Sequence, residues 1–228
     1  MRLLALETAT EACSVALWLD GELLERFELA PRGHAERVLP WAEALLAEAG
    51  LALGRLDAVA FGRGPGAFTG LRIACGVAQG LALGAGLPVV PVSTLAALAQ
   101  GAVEEGRERV LAALDARMGE VYWGPYRRGP EGLAVPAGEE AVLPPGAVPL
   151  PEGAGWWGAG PGWAAHGEVL AARLRDRLAG RAPQLLPRAG AVARLAAAAF
   201  ARGEILPPEE ALPVYLRRQV ATPRARRP

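Results

Sequence analysis

Lysine and asparagine are both missing from this sequence of 228 residues, so all 24 of its basic residues are arginines. The missing lysine excludes several kinds of enzyme. A Walker P-loop needs a lysine on the nucleotide phosphates, and a pyridoxal-dependent enzyme needs one for its Schiff base. A protein-kinase mechanism is excluded for the same reason.

Cysteine and histidine are scarce. The chain has only Cys13, Cys75, His34 and His166, which are too few for a disulfide framework or for a zinc site of the Cys/His kind. The N-terminus brings the carboxylate of Glu7 before any hydrophobic segment of signal-peptide length has formed. We therefore expect a protein of the reducing cytoplasm, without a metal site built from cysteine and histidine.

Excess charge of either sign is also missing, because 24 acidic residues balance the arginines. The chain thus lacks the basic field of an autonomous nucleic-acid binder, and an RNA role would need another molecule.

The uncharged run from Ile73 to Val103 is longer than a membrane-spanning helix requires. Gly86, Pro88 and Pro91 interrupt it, so we expect a helix, a short strand and a second helix of an α/β fold rather than a membrane span.

Strands and helices alternate in the first half of the chain. Apolar patterns predict strands at 3–6, 13–19, 22–29, 58–61 and 88–92. Asp20-Gly21 predicts a two-residue turn of type I′. Helices are predicted at 38–49, from a cap at Thr69 onwards, and at 93–102. Pro40 predicts either a kink or a separate turn before the first helix.

The second half partly repeats the first. An apolar strand at 110–114 ends in Asp115 and a strand resumes at 121–123, as 3–6 ends in Glu7 and a strand resumes at 13–19. This pattern indicates a duplicated unit, divided into lobes at 1–104 and 105–228. Helical patterns follow at 163–178 and 190–201, and the basic tail Thr222–Pro228 is expected to be disordered.

Small residues recur every four positions in the predicted second helix. Gly76, Gly80 and Gly84 form one set, and Gly70, Ala74, Ala78 and Ala82 form another. Each glycine inside a helix costs about 1 kcal/mol relative to alanine, so a close-packed backbone is expected along this helix. The approaching backbone belongs either to the chain itself or to another subunit.

Carboxylates and glycines at strand ends suggest a second kind of site. The loop 62–66 could present amides to an anion at a helix N-terminus. Glu7 and Asp115 could face each other across a cleft and hold Mg²⁺, or they could be structural turn residues. His34 lies among charged neighbours and is expected in a surface turn, and His166 has no expected partner.

Four stretches stand out in order along the chain. They are 4–17 (LALETATEACSVAL), 62–72 (GRGPGAFTGLR), 114–122 (LDARMGEVY) and 213–217 (PVYLR). Together they resemble the bacterial TsaB family of tRNA threonylcarbamoyladenosine biosynthesis. The likeness runs from Leu3 to Arg217 and is weakest between 128 and 155. It implies an α/β fold of two duplicated actin-like (ribonuclease-H-like) lobes, with mixed sheets flanked by helices.

The resemblance also implies a function. Members of this family are non-catalytic partners of TsaD, with TsaE completing the assembly that modifies the adenosine beside the tRNA anticodon. It implies a homodimer when the chain is alone, tRNA contact through the complex, and ATP and Mg²⁺ at the assembled complex. The implied partner surface comprises Trp41, Leu45, Arg72, Ala74, Gly76, Gly80 and Gly84. A weak nucleotide or anion site would comprise Glu7, Thr8, Gly64, Gly66 and Asp115.

The sequence departs from catalytic relatives at two places. The His-x-x-x-His metal motif of the catalytic subunit aligns with Thr94 and Leu98, neither of which is a suitable ligand. Asp115 is followed by Ala116-Arg117-Met118, where kinases of this fold have a glycine-rich turn. We therefore assign no catalytic residue. The alternative is a small ATPase or phosphotransferase of the same fold, using Glu7, Asp115 and the loop 62–66.

Overall fold

The first half of the chain forms a five-stranded mixed sheet in the computed structural model, which describes residues 1–217. Its strands are β1 (Arg2–Glu7), β2 (Ala12–Leu19), β3 (Glu22–Leu29), β4 (Ala58–Gly62) and β5 (Val89–Val92). Their order is β3-β2-β1-β4-β5, with β1, β4 and β5 parallel and β2 and β3 antiparallel. The expected disordered tail, Thr222–Pro228, lies outside the described residues.

The β2–β3 hairpin confirms the turn prediction. Asp20 and Gly21 have φ angles of 52° and 108°, the positive values that a type I′ turn requires. Alternation along β2 places Cys13, Val15 and Leu17 in one apolar core, and Ala16 belongs to the core on the opposite face. The sheet is therefore covered by helices on both sides.

Three helices belong to the first half: α1 (His34–Glu48), α2 (Phe68–Ala85) and α3 (Thr94–Glu104). Helix α1 continues through Pro40, so the alternative of a separate turn before it is wrong. The predicted cap at Thr69 is also wrong, because α2 begins at Phe68 after Ala67. Ser93 does cap α3, since its hydroxyl accepts hydrogen bonds from the amides of Leu95 and Ala96.

The second half repeats the strand order of the first. Its strands are β6 (Arg109–Arg117), β7 (Glu120–Arg128), β8 (Ala134–Pro136), β9 (Ala141–Leu143), β10 (Trp156–Ala159) and β11 (Leu178–Ala182). The order β11-β10-β6-β7-β8, read from the other end, matches that of the first sheet strand for strand, and β9 is an addition that pairs with β7. The two mixed sheets confirm the predicted duplicated α/β fold.

Two helices complete this half: α4 (Pro161–Leu174) and α5 (Ala189–Ala201). The helix predicted at 163–178 is wrong at its end, because Leu178–Ala182 is strand β11. That strand is the sheet edge and contains Gly180 and Arg181, so its sequence carries little alternation.

The last helix of each half packs against the sheet of the other half. Leu95, Leu98 and Ala102 of α3 share a core with strands of the second sheet. Ala189 and Val192 of α5 share a core with strands of the first. Helices α3 and α5 also contact each other. They therefore join the two lobes on one side, while the opposite side remains open as a cleft.

By length and composition alone, α2 could cross a membrane. Within the described residues, however, it is a helix of the α/β core, because Gly70, Ala74, Ala78 and Ala82 are buried on its side towards β4. The long uncharged run is divided as predicted, into α2, β5 and α3.

Candidate functional site: the inter-lobe cleft and the exposed face of α2

A cleft of ≈ 910 Å³ separates the two lobes. The turn after β1 and the start of α2 form one wall, and the end of β6 and the start of α4 form the other. The C-terminal residues Tyr215 and Arg217 also line it. The cleft lies at the carboxyl ends of β1 and β6, which is where ligands bind in open α/β sheets.

The cleft contains three of the five residues predicted for an anion site. Thr8, Gly66 and Asp115 line it, whereas Glu7 and Gly64 do not. Gly64 lies behind the wall, where a side chain would press on the carbonyl of Val214 at 2.9 Å. The expectation that Glu7 and Asp115 face each other across the cleft is therefore wrong.

Glu7 is instead a buried carboxylate inside the first lobe. Its Oε1 accepts a hydrogen bond of 2.7 Å from the amide of Ala9, and its Oε2 accepts one of 3.1 Å from the hydroxyl of Thr94. Thr94 Oγ1 in turn accepts from the amide of Gly64 at 3.2 Å. Burial raises the pKa of Glu7 to about 7, although the hydrogen bonds from Ala9, Thr94 and Thr8 oppose this shift.

Asp115 lies on the other wall, where it accepts hydrogen bonds and forms an ion pair. Its Oδ1 accepts from the amide of Arg117 at 2.8 Å, and its Oδ2 pairs with the guanidinium of Arg117 at 2.9 Å. His166 Nε2 lies 3.6 Å from Asp115 Oδ1, so the expectation that this histidine has no partner is wrong. Within residues 1–217, no group of three or more His, Cys, Asp or Glu side chains is arranged to hold a metal ion.

His34 is not in a charged surface turn. It is buried, and its Nε2 lies 3.0 Å from the carbonyl of Thr10 and 3.2 Å from that of Ala12. The ring therefore holds the turn between β1 and β2 that forms part of the cleft wall. The prediction of a surface turn is wrong because sequence spacing does not report this long-range contact.

The two sets of small residues in α2 have different roles. We call Gly70, Ala74, Ala78 and Ala82 the core stripe, and Gly76, Gly80 and Gly84 the open stripe. The core stripe is buried, and a methyl group on Gly70 would lie 1.9 Å from the carbonyl oxygen of Thr8. In the described part of the chain, a methyl group on any glycine of the open stripe has no neighbour within 4 Å outside the backbone of α2. Only the open stripe is available to another molecule.

Two of the seven residues predicted for the partner surface are not on it. Leu45 and Ala74 are buried in the core of the first lobe, because they lie on the sides of α1 and α2 that face the sheet. Trp41 is half-buried beside that core, and Arg72 is exposed. The partner role of these two residues and of the open stripe stays a prediction.

Sequence reasoning missed three residues at the start of α2 and the cleft. Phe68 is 55% exposed, and its ring contacts the guanidinium of Arg72, with the Arg72 carbon 4.0 Å from the ring centroid. Tyr215 packs against Phe68 with centroids 5.6 Å apart, and Arg217 reaches the second lobe. The 213–217 motif was the available signal, but nothing in it revealed that the C-terminal segment returns to the cleft.

Two sheets of matching order, exchanged helices and an inter-lobe cleft define a two-lobed α/β protein of the actin-like class. The family model described as "TsaD: tRNA N6-adenosine threonylcarbamoyltransferase" matches residues 28–221. Among solved structures, "YeaZ from Pseudomonas aeruginosa" superposes with a TM-score of 0.88 at 54% identity, covering 94% of this chain and 99% of that chain.

Comparison with named relatives shows which family within this class the chain belongs to. The chain is 49% identical over 228 residues to the tRNA threonylcarbamoyladenosine biosynthesis protein TsaB of Escherichia coli, covering 97% of this chain and 96% of that protein. It is 41% identical over 231 residues to TsaB of Haemophilus influenzae, covering 96% and 95%. The chain therefore belongs to the TsaB family, within the wider group that the TsaD family model describes.

Proposed function

We propose that this chain is a non-catalytic subunit for threonylcarbamoyladenosine modification of tRNA, and that it docks onto the catalytic subunit TsaD through the exposed face of α2. The observation that carries this proposal is the open stripe. Gly76, Gly80 and Gly84 lie along one side of an 18-residue helix, and among residues 1–217 no atom outside the helix backbone lies within 4 Å of a Cβ added to any of them.

The glycines of the open stripe lower the stability of α2 without serving the packing of the chain itself. Each costs about 1 kcal/mol of helix stability relative to alanine. Packing inside the chain does not require them, in contrast to Gly70, which a side chain could not replace without moving Thr8. A partner backbone that approaches the stripe closely would make use of them. Leu83, 72% exposed on the same helix, adds apolar surface for that partner.

Two positions support a subunit without its own chemistry. Thr94 and Leu98 align with the metal ligands of catalytic relatives. In this chain the Thr94 hydroxyl donates a hydrogen bond to Glu7, and Leu98 belongs to the core shared by α3 and the second sheet. Both side chains thus have structural roles that a metal-binding histidine could not take over without disturbing the interior.

The exposed face of α2 would also serve the homodimer, while the other partners would join through TsaD. In the absence of TsaD, a second copy would use it to form a homodimer, while TsaE would join the TsaD complex. Contact with tRNA and the use of ATP and Mg²⁺ belong to the assembled complex, in the cytoplasm where tRNA is modified. The zero net charge supports this division of labour, since phosphate binding depends on a positive field.

The test is the substitution Gly80→Leu, which places a side chain where the partner backbone would lie. The control is Gly54→Leu, because Gly54 also has no atom within 4 Å of its added methyl but lies outside α2. Light scattering after gel filtration with TsaD from the same genome should show a complex for the control and none for Gly80→Leu. An intact complex with Gly80→Leu would overturn the docking surface.

The cleft favours a second candidate function, a small ATPase or phosphotransferase. Its ≈ 910 Å³ volume suits a nucleotide, and Thr8, Gly66 and Asp115 line it. Calorimetry of the isolated chain with ATP and Mg²⁺ separates the two. Micromolar binding that disappears in Asp115→Ala would support the enzyme, and no heat of binding would support the subunit.

A further inference from the structure

The C-terminal residues 211–217, here called the strap, run along α2 and across the mouth of the cleft. Their start is fixed to the first lobe. The carbonyl of Ala211 accepts hydrogen bonds from Cys75 Sγ at 3.2 Å and from Gln79 Nε2 at 2.9 Å. The amide of Val214 donates to the carbonyl of Arg63 at 2.7 Å. Ala211 is fully buried, so this end of the strap is part of the core.

The middle of the strap packs on the first turns of α2. The Tyr215 ring lies 5.6 Å from that of Phe68, and its hydroxyl accepts a hydrogen bond of 3.3 Å from Arg72 Nε. Phe68, Arg72, Cys75 and Gln79 are spaced as one helical face, so the whole segment follows a single flank of α2. That flank lies beside the open stripe.

The end of the strap contacts the other lobe. Arg217 donates to the carbonyl of Arg117 at 3.3 Å and to Met118 Sδ at 3.4 Å, and it forms an ion pair with Glu120. Residues 117–120 are the hairpin between β6 and β7. The strap therefore connects α2 of one lobe with the hairpin of the other, on the side of the molecule where the cleft opens.

We propose that the strap is an inter-lobe latch. Helices α3 and α5 join the lobes on the far side, and the Arg217–Glu120 contact joins them at the mouth. Release of Arg217 lets the lobes move apart and widens the cleft. The contact lies at the far end of the strap, where Arg217 is 16% and Glu120 32% exposed, so its release leaves the anchored start of the strap and the cores of both lobes in place. The proposal explains why the 213–217 segment carries an arginine at its end.

Electron paramagnetic resonance distances across the cleft test this proposal. Glu11→Cys and Ala165→Cys place nitroxide labels on opposite walls, at two exposed positions that line the cleft. The native Cys13 and Cys75 are buried, so the reagent should modify only the introduced thiols. The latch is then removed by Arg217→Ala, or weakened by Glu120→Gln, which eliminates the ion pair but keeps the contacts of Arg217 with Arg117 and Met118. The second change keeps the side-chain volume at a partly exposed position, so it retains the fold.

Both latch variants should shift the inter-label distance to longer values and broaden its distribution. The matched control is Arg128→Ala, which removes an exposed ion pair with Glu108 at 3.3 Å within the second lobe and should leave the distribution unchanged. An unaltered distribution in Arg217→Ala would overturn the proposal. So would an equal shift in the Arg128→Ala control.

Discussion

Thr94 donates a hydrogen bond of 3.1 Å to Glu7 in the interior of the first lobe, where both residues are 0–1% exposed. The bond joins the end of β1 to the start of α3. Thr94 Oγ1 also accepts from the amide of Gly64, so the loop before α2 belongs to the same network. Three segments behind the cleft are thereby held by one ionisable group, which makes their stability sensitive to pH.

Stability should fall as the pH rises through the range in which Glu7 ionises. Burial raises its pKa from 4.5 to about 7, so the folded state holds the proton more tightly than the unfolded state. This contribution is complete below pH 4.5 and lost as the pH approaches 7. It amounts to about 3 kcal/mol, taking 1.36 kcal/mol per pKa unit.

Glu7→Gln removes this ionisation, so its free energy of unfolding should change less between pH 5 and 8 than that of the unaltered protein. Urea denaturation across this range measures the two pH profiles. Glu139→Gln, at an exposed position, is the control and should retain the original pH profile. Parallel profiles for Glu7→Gln and the unaltered protein would contradict the burial argument.

The open stripe predicts a stabilising substitution. Gly80→Ala adds a methyl group with no neighbour within 4 Å outside the helix backbone among residues 1–217, and alanine favours the helix by roughly 0.5–1 kcal/mol. Chemical denaturation of the isolated chain at low concentration should show a gain of this size. A loss of stability would mean that the stripe is packed in the free chain.

The core stripe predicts the opposite result for the same substitution. Gly70→Ala places a methyl group 1.9 Å from the carbonyl oxygen of Thr8, whose hydroxyl also donates to the Gly70 carbonyl at 2.7 Å. The turn after β1 must move, at a cost of about 1–3 kcal/mol. Denaturation under the conditions used for Gly80→Ala gives the comparison, and equal effects at both positions would refute the assignment of the two faces.

Ser14 supplies the N-terminal hydrogen bond of a helix from the other half of the chain. Its Oγ accepts from the amide of Ala189 at 2.6 Å, at the first residue of α5. Ser14→Ala leaves this buried amide without its partner and should lower the free energy of unfolding by about 1–3 kcal/mol. Thr69→Ala, an exposed hydroxyl on α2, should change it by less than about 0.5 kcal/mol. A similar small effect for Ser14→Ala would show that the amide finds another partner.

Local patterns account for the parts of the fold that were predicted correctly. The alternation along β2 and the Asp20-Gly21 turn depend on neighbouring residues, and both appear as expected. Strand β11 was missed because an edge strand with Gly180 and Arg181 needs little apolar alternation. His34 was placed on the surface because its partners, the carbonyls of Thr10 and Ala12, are distant in sequence.

The candidate site also combines features that the sequence predicts with features that only the structure shows. The four-residue spacing in α2 revealed two stripes of small residues, but periodicity cannot tell which stripe faces the sheet. Glu7 and Asp115 occupy equivalent strand ends, yet one is buried against Thr94 and the other lines the cleft. Glu7 is covered by the start of α3, whereas Asp115 contacts Arg117 and His166, and no local pattern contains these contacts.

By itself, the amino-acid sequence determined the strands of the first sheet, the duplicated unit, the small residues of α2 and the family. These depend on steric preferences and periodicities that act over a few residues, or on similarity along the chain. The tertiary structure alone decided that α3 and α5 exchange lobes, that Gly80 is open while Gly70 is covered, and that Arg217 reaches Glu120. Burial and ion pairing depend on which distant segments meet in the folded chain, and that outcome is set by packing of the whole core.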